Sequence, residues 1–151
     1  MSEVLIKSII KNNKEAKWKD ADREFEYGYV TTEVVDGKNI KVRKVNSDEE
    51  YCVKLENITV PTLMQPLGIE ARSYMLGLTR EQGLGIKFLD RNSLKISPVM
   101  IRVNNRDLAE MMVECGYAYS KFKPYRNSQN LAKMRKTNIW NPRYSINPKL
   151  L

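Results

Sequence analysis

The side chains of this sequence that could do chemistry are mostly cations, and they are unevenly placed. Lys121, Lys123, Arg126, Lys133, Arg135, Lys136, Arg143 and Lys149 all follow Glu114, the last acidic residue. Acids and bases cancel over residues 1–114, so the whole net charge of +8 lies in residues 115–151. Tyr117, Tyr119, Phe122, Tyr125, Trp140 and Tyr144 interleave with these cations. Lysine and arginine hold phosphates and aromatic rings stack bases, so the pattern is one that binds nucleic acid. A packing role competes with it: Trp140 and some of the tyrosines would seat a last helix on the core, and a solvated basic helix would aid solubility only.

The rest of the composition excludes other chemistry. Histidine is absent, which removes the commonest general base and the commonest neutral metal ligand. Cys52 and Cys115 alone cannot close a four-ligand zinc site. Two distant cysteines are expected to stay reduced, as in a cytoplasmic chain. No apolar run approaches the roughly 20 residues of a membrane helix, so no membrane is expected as a partner. The start, MSEVLIKSIIKNNKE, has charges inside its apolar run and no small-residue cleavage site, unlike a signal peptide. No cofactor is expected.

Elements must position the cations, and the 151 residues suggest one domain. Residues 2–19 read as an amphipathic helix with Leu5, Ile6, Ile9 and Ile10 on one side. Glu26–Val35, Asn39–Val45 and Glu50–Val60 read as three strands of a meander, joined by Asp36-Gly37 and Asn46-Ser47-Asp48. Either Cys52 or Val53 would join the core of the third. A loop over 61–68 leads to a helix from Ile69 to Leu78, with Ala71, Tyr74, Met75 and Leu78 at helical spacing. Ile86–Leu89 and Val99–Val103 are two further strands, closed by Asn104-Asn105. Asp107 caps a helix to Cys115, with Leu108, Met111, Met112 and Cys115 on its apolar face and Gly116 at its end. Pro124 opens a last helix from Tyr125 to Lys136. This order suggests a small barrel of the oligonucleotide/oligosaccharide-binding (OB) type.

Five stretches in this order resemble the staphylococcal nuclease family. They are Val35-Asp36-Gly37-Lys38-Asn39-Ile40-Lys41-Val42, CVKLENITVPT (residues 52–62), Gly68-Ile69-Glu70-Ala71-Arg72-Ser73-Tyr74, Ala109 to Ala118, and Arg126 to Trp140. The similarity spans about residues 28–141. It implies an α+β, mainly β fold: a five-stranded OB-fold barrel of the staphylococcal nuclease type with about three packed helices, to which the N-terminal helix is added. Residues 1–24 would be an extension, 25–141 the barrel domain and 142–151 a tail.

The family holds Ca²⁺ with carboxylates, uses a Glu as general base and neutralises the phosphorane with two Arg. Here the second Asp of the hairpin is Lys38. The Asp and Thr before the proline are Thr59 and Val60, and the Glu after it is Thr62. The first Arg is Lys54, and no Arg stands near Ile96–Ser97, where Lys95 is the nearest base. The loop after Pro61 looks shorter than in the family. No catalytic residue and no metal ligand is expected. The expected function is that of a catalytically inactive nuclease-like domain that binds DNA or RNA. Lys121, Lys123, Arg126, Lys133, Lys136 and Arg143 would meet phosphates, with Lys38, Lys41, Arg43 and Lys54 as a second, weaker set. The alternative is a protein-interaction or assembly component built on a dead nuclease fold, with residues 1–24 or 142–151 reaching a protein partner. A nuclease with rearranged ligands is a third reading.

Overall fold

The computed structural model describes residues 24–90 and 95–151. The expected helix over 2–19 lies outside the described residues. β1 (Glu26–Val34), β2 (Asn39–Lys44) and β3 (Glu50–Leu55) form the expected antiparallel meander. Alternation drives it: Ile40 and Val42 of β2 are buried opposite Val53 and Tyr51, while Lys41 and Arg43 face outward. Val53, and not Cys52, joins the core of β3. The first turn is fixed by Asp36, whose Oδ1 accepts the backbone N–H groups of Lys38 (2.9 Å) and Asn39 (2.8 Å). An aspartate bonding its own following amides is a common way to set a tight turn.

β4 (Leu84–Phe88) pairs antiparallel with β1 and with β5 (Ser97–Val103), and the two-residue β6 (Arg106–Asp107) adds to β5. A parallel pairing of β3 with β5, Val53 to Ser97 through Leu55 to Val99, closes the sheet. The result is a closed five-stranded mixed barrel, OB-like, in an α+β chain. Its interior is one apolar cluster that includes Ile40, Leu55, Leu84, Ile86, Val99 and Ile101.

Among the described residues, three α-helices pack outside the strands. α1 (Gly68–Thr79) buries Ala71, Met75 and Thr79, a spacing of four that puts them on one face. α2 (Leu108–Glu114) is capped by Asp107, whose side chain accepts from the Glu110 N–H. Leu108, Met111 and Met112 are buried as expected, but Cys115 is only half-buried. It sits past the helix end, with its sulfur 2.5 Å from the Tyr74 hydroxyl rather than in the core. A short 3₁₀ turn, Lys123–Tyr125, precedes α3 (Arg126–Met134). The Tyr125 hydroxyl donates to the Asp107 carboxylate and so ties the start of α3 to the cap of α2.

The third strand is shorter than the sequence pattern suggests. It stops at Leu55 and does not reach Val60, because Asn57 takes a left-handed conformation (φ 71°) that no strand accommodates. Ile58 is buried all the same.

Gly116 makes a checkable demand. Its φ is +74°, and a Cβ there would stand 2.3 Å from the Thr137 carbonyl oxygen. Gly77, inside α1, has nothing within 4 Å of a Cβ. Gly116→Ala should destabilise the fold by roughly 1–3 kcal/mol, whereas Gly77→Ala should stabilise it by about 0.5–1 kcal/mol. Urea denaturation of the two variants reads both signs.

Candidate functional site

Beyond Leu55 the chain turns at Asn57 and meets the stretch that follows α2. Thr59 and Tyr119 exchange both backbone hydrogen bonds, each 2.8 Å, as an isolated antiparallel bridge. Ser120 locks it from one side by donating its hydroxyl to the Asn57 carbonyl, while the same oxygen accepts the Phe122 N–H at 3.0 Å. Gln129 of α3 locks it from the other. Its Oε1 accepts the Ser120 N–H (2.7 Å) and its Nε2 donates to the Ser120 carbonyl (2.9 Å), both buried. A buried amide side chain that satisfies both groups of one peptide leaves neither orphaned.

This junction forms one wall of a recess of about 490 Å³. Thr59, Tyr119, Lys121 and Phe122 line it, and Lys149 and Leu151 approach from the C-terminal segment. No acidic side chain lines it. Asn57, Ile58 and Thr59 of CVKLENITVPT therefore do form part of the rim of a cavity, where the Asn57 carbonyl and the Thr59 hydroxyl are engaged. The Thr59 hydroxyl points to the Tyr119 carbonyl at 3.4 Å. Asp36 is spent on its turn and on the Asn39 amide side chain, at 3.0 Å to each oxygen. Among the described residues, no three Cys, Asp or Glu side chains gather as a group that could hold a metal ion.

The expected phosphate contacts divide into two regions. Of the first set, Lys121 lines the recess itself. Arg126 and Lys133 stand seven residues apart on α3, two turns along one side, with Asn130 between them. All three are exposed. The Lys133 ammonium lies 4.9 Å from the centre of the Trp140 ring, and Trp140 packs against Tyr119 at 6.2 Å between centroids. A path of rings and cations thus runs from the recess, through Tyr119 and Trp140, to the exposed side of α3. Lys123 is exposed in the 3₁₀ turn, Lys136 is exposed just past α3, and the Arg143 guanidinium stands 5.8 Å from the centre of the Tyr144 ring. Trp140 packs on Tyr119, as the packing role requires, and is half-buried. Its indole N–H is covered and has no acceptor.

The second set lies elsewhere. Lys41, Arg43 and Lys54 point out from β2 and β3, and none of them lines the recess. Lys41 is ion-paired with Glu33 at 3.1 Å, and Arg43 donates to the Ser47 carbonyl at 3.2 Å, opposite Glu50. Lys54 sits opposite Asn39, and the Lys38 carbonyl accepts the Leu55 N–H at 2.9 Å.

Sequence reasoning did not single out Ser120, Gln129 or Lys149. Gln129 carried a usable signal, since it is a polar residue on what proves to be the buried side of an otherwise polar helix. Ser120 and Lys149 carried none, because their roles depend on which segments meet. Compared with protein-family models and with curated proteins, the chain gives no match.

The Gln129 clamp can be tested directly. Gln129→Leu keeps the volume but orphans the buried N–H and C=O of Ser120, at a cost of roughly 1–3 kcal/mol for an unsatisfied buried group. Amide hydrogen exchange should accelerate at Tyr119, Ser120 and Phe122 more than in β4 and β5.

A second test uses pH. Burial first, and then the hydrogen bond to Asp107, push the Tyr125 hydroxyl well above its ordinary range. A raised acid binds its proton more tightly in the folded chain, so its contribution is intact below the unfolded value of about 10 and is lost as pH rises beyond it. Melting temperature should fall above about pH 10, and Tyr125→Phe should flatten that fall while lowering stability at neutral pH.

Proposed function

We propose that this chain is a nuclease-type barrel without the nuclease chemistry, which binds nucleic acid along its C-terminal quarter. The observation that carries the reading is the continuous run from the acid-free recess of Lys121 and Tyr119, across Trp140, to Lys133 and Arg126. Bases stack on aromatic faces while cations track the backbone, and both kinds of group alternate here over one surface. The surplus of +8, with no acid after Glu114, supplies the long-range attraction.

Support for the lost chemistry comes from the donor set. A calcium ion needs several hard oxygen ligands. At the positions where the resembling family has carboxylates, this chain has Lys38, Thr59 and Thr62. These residues do not fit the ion, and an ammonium at 38 would repel it. Lys54 lacks the two-pronged contact that an arginine makes to phosphate. No proton acceptor stands in for the missing Glu, because the Thr59 hydroxyl faces a carbonyl and neither threonine is a base at neutral pH.

A second reading, a protein-assembly component, is favoured by exposed apolar side chains on the loop after Pro61 and on the C-terminal segment. Met64 is 95% exposed and Leu150 76%, with Ile69 also solvent-facing. Such a patch is a usual mark of a protein partner.

Fluorescence anisotropy with labelled single-stranded DNA and RNA, at low and moderate salt, tests the first reading. Binding should weaken steeply with salt, and Lys121→Ala and Lys133→Ala should each lower the salt slope by about 0.7 for a single strand. The same samples with Ca²⁺ should leave the oligonucleotide uncut. Absence of binding to either polymer at low salt would leave the assembly reading standing alone.

A further inference from the structure

The recess is not walled by the barrel alone. The chain leaves the core at Ile139, whose N–H donates to the Gly116 carbonyl (2.9 Å), while the Asn138 side chain donates to the Cys115 carbonyl (2.7 Å). From there it does not trail away. Two similar turns carry it back. Asn141 accepts the Arg143 N–H on its side chain at 3.0 Å, and Asn147 accepts the Lys149 N–H at 3.2 Å, with Pro142 and Pro148 as the first residue of each turn. Asn before Pro is a good start for such a turn, since the side chain caps an amide and the ring presets φ. Between these turns the segment passes Gln65 and Pro66, with which Ile146 and Leu150 share a second cavity of about 290 Å³. It then brings Lys149 and Leu151 into the lining of the recess that Thr59 and Tyr119 share.

We infer that residues 142–151 are a working wall of the binding site, and that Lys149 is a phosphate-contacting residue paired with Lys121 across the recess. The inference rests on the nucleic-acid reading and names a part of the site which that reading does not include. Lys121 and Lys149 are the two lysines of a recess whose described lining holds no Asp or Glu side chain, and Tyr119 and Phe122 share that lining. A backbone phosphate held between two ammonium groups leaves its base beside an aromatic ring. Neither lysine could do this alone, because a single exposed ammonium fixes no direction. The capped turn at Asn147 fixes the Lys149 backbone before any ligand arrives, which reduces the part of the ordering cost that the backbone would bear.

The test uses the full chain, a labelled single-stranded DNA of about one recess-to-helix span (~15 nucleotides, within the range of site sizes for such folds), and a salt series. Lys149→Gln should weaken binding roughly threefold to tenfold at low salt and reduce the salt slope by about 0.7. Lys149→Arg should retain both values. Lys44→Gln, an exposed lysine at the end of β2, removes the same charge from another face and should change affinity less than about twofold, with no change in slope. The inference is overturned if wild type binds but Lys149→Gln behaves like Lys44→Gln. It is equally overturned if Lys149→Gln binds more tightly, which would make the segment a cover over the recess rather than part of its grip. If wild type binds neither at low salt nor with any variant, the nucleic-acid reading itself has failed and the role of Lys149 falls with it.

Discussion

The two hydrogen bonds between Thr59 and Tyr119 are the constraint on which the rest of the molecule's outer half depends. The barrel closes on itself through β1 to β5, and nothing in that closure says where the chain after α2 should go. The bridge does. It catches residues 119–122 against the turn at Asn57, and Ser120 and Gln129 then seal the peptide groups that would otherwise be buried without partners. Once Tyr119 is fixed, Trp140 has a ring to pack on, Lys133 has a ring to cover, and the C-terminal segment has a surface to return to. Satisfied backbone groups are a stronger organiser than the few apolar contacts of α3, which buries little besides Gln129 and Ala132.

Much of the barrel was readable from the sequence because its determinants are local. Ile40 and Val42 alternate with Lys41 and Arg43, and Asp36-Gly37 and Asn46 supply the turns, so the meander follows from neighbours alone. Asp107, Gly116 and Pro124 mark helix ends for the same reason. The reading went wrong at Asn57. Asparagine is poor in strands and adopts the left-handed region more readily than most residues, so Asn57 carried a local signal for this turn that the apolar, β-branched residues after it masked. The parallel pairing of β3 with β5 leaves no local trace either, since Val53 and Ser97 are joined by a contact some forty residues long. The same holds for the site. Lys121 could be suspected from charge, but Lys149 could not be placed beside it until the two Asn-Pro turns were seen to bring the chain back.

The two groups of candidate cations differ in a way that charge counting hides. On the outer face of β2 and β3, Lys41 meets Glu33 and Arg43 stands opposite Glu50, so much of the field is cancelled within one side chain's reach. Exposed pairs of this kind add little to stability, but they do neutralise a surface. The cations after Glu114 have no acid near them in sequence, and those at the recess have none in its lining. The field of the second region is therefore less compensated than that of the first. In the proposed binding, the asymmetry weighs for the cations of α3 and the recess and against Lys41 and Arg43.

The rim also shows where the polar groups of this stretch are used. A working active site keeps its polar groups free to meet substrate and bears the strain of doing so. Here the corresponding groups serve the fold. Asp36 holds the amides of its own turn, and Thr59 directs its hydroxyl toward the carbonyl of the residue it pairs with. A carboxylate at position 59 would set two acceptors against each other at the bridge that organises the outer half of the molecule. With threonine there, the bridge gains a weak third contact. The geometry that fastens residues 119–122 to the barrel therefore engages the Thr59 hydroxyl in the fold itself, as the first turn engages the Asp36 carboxylate.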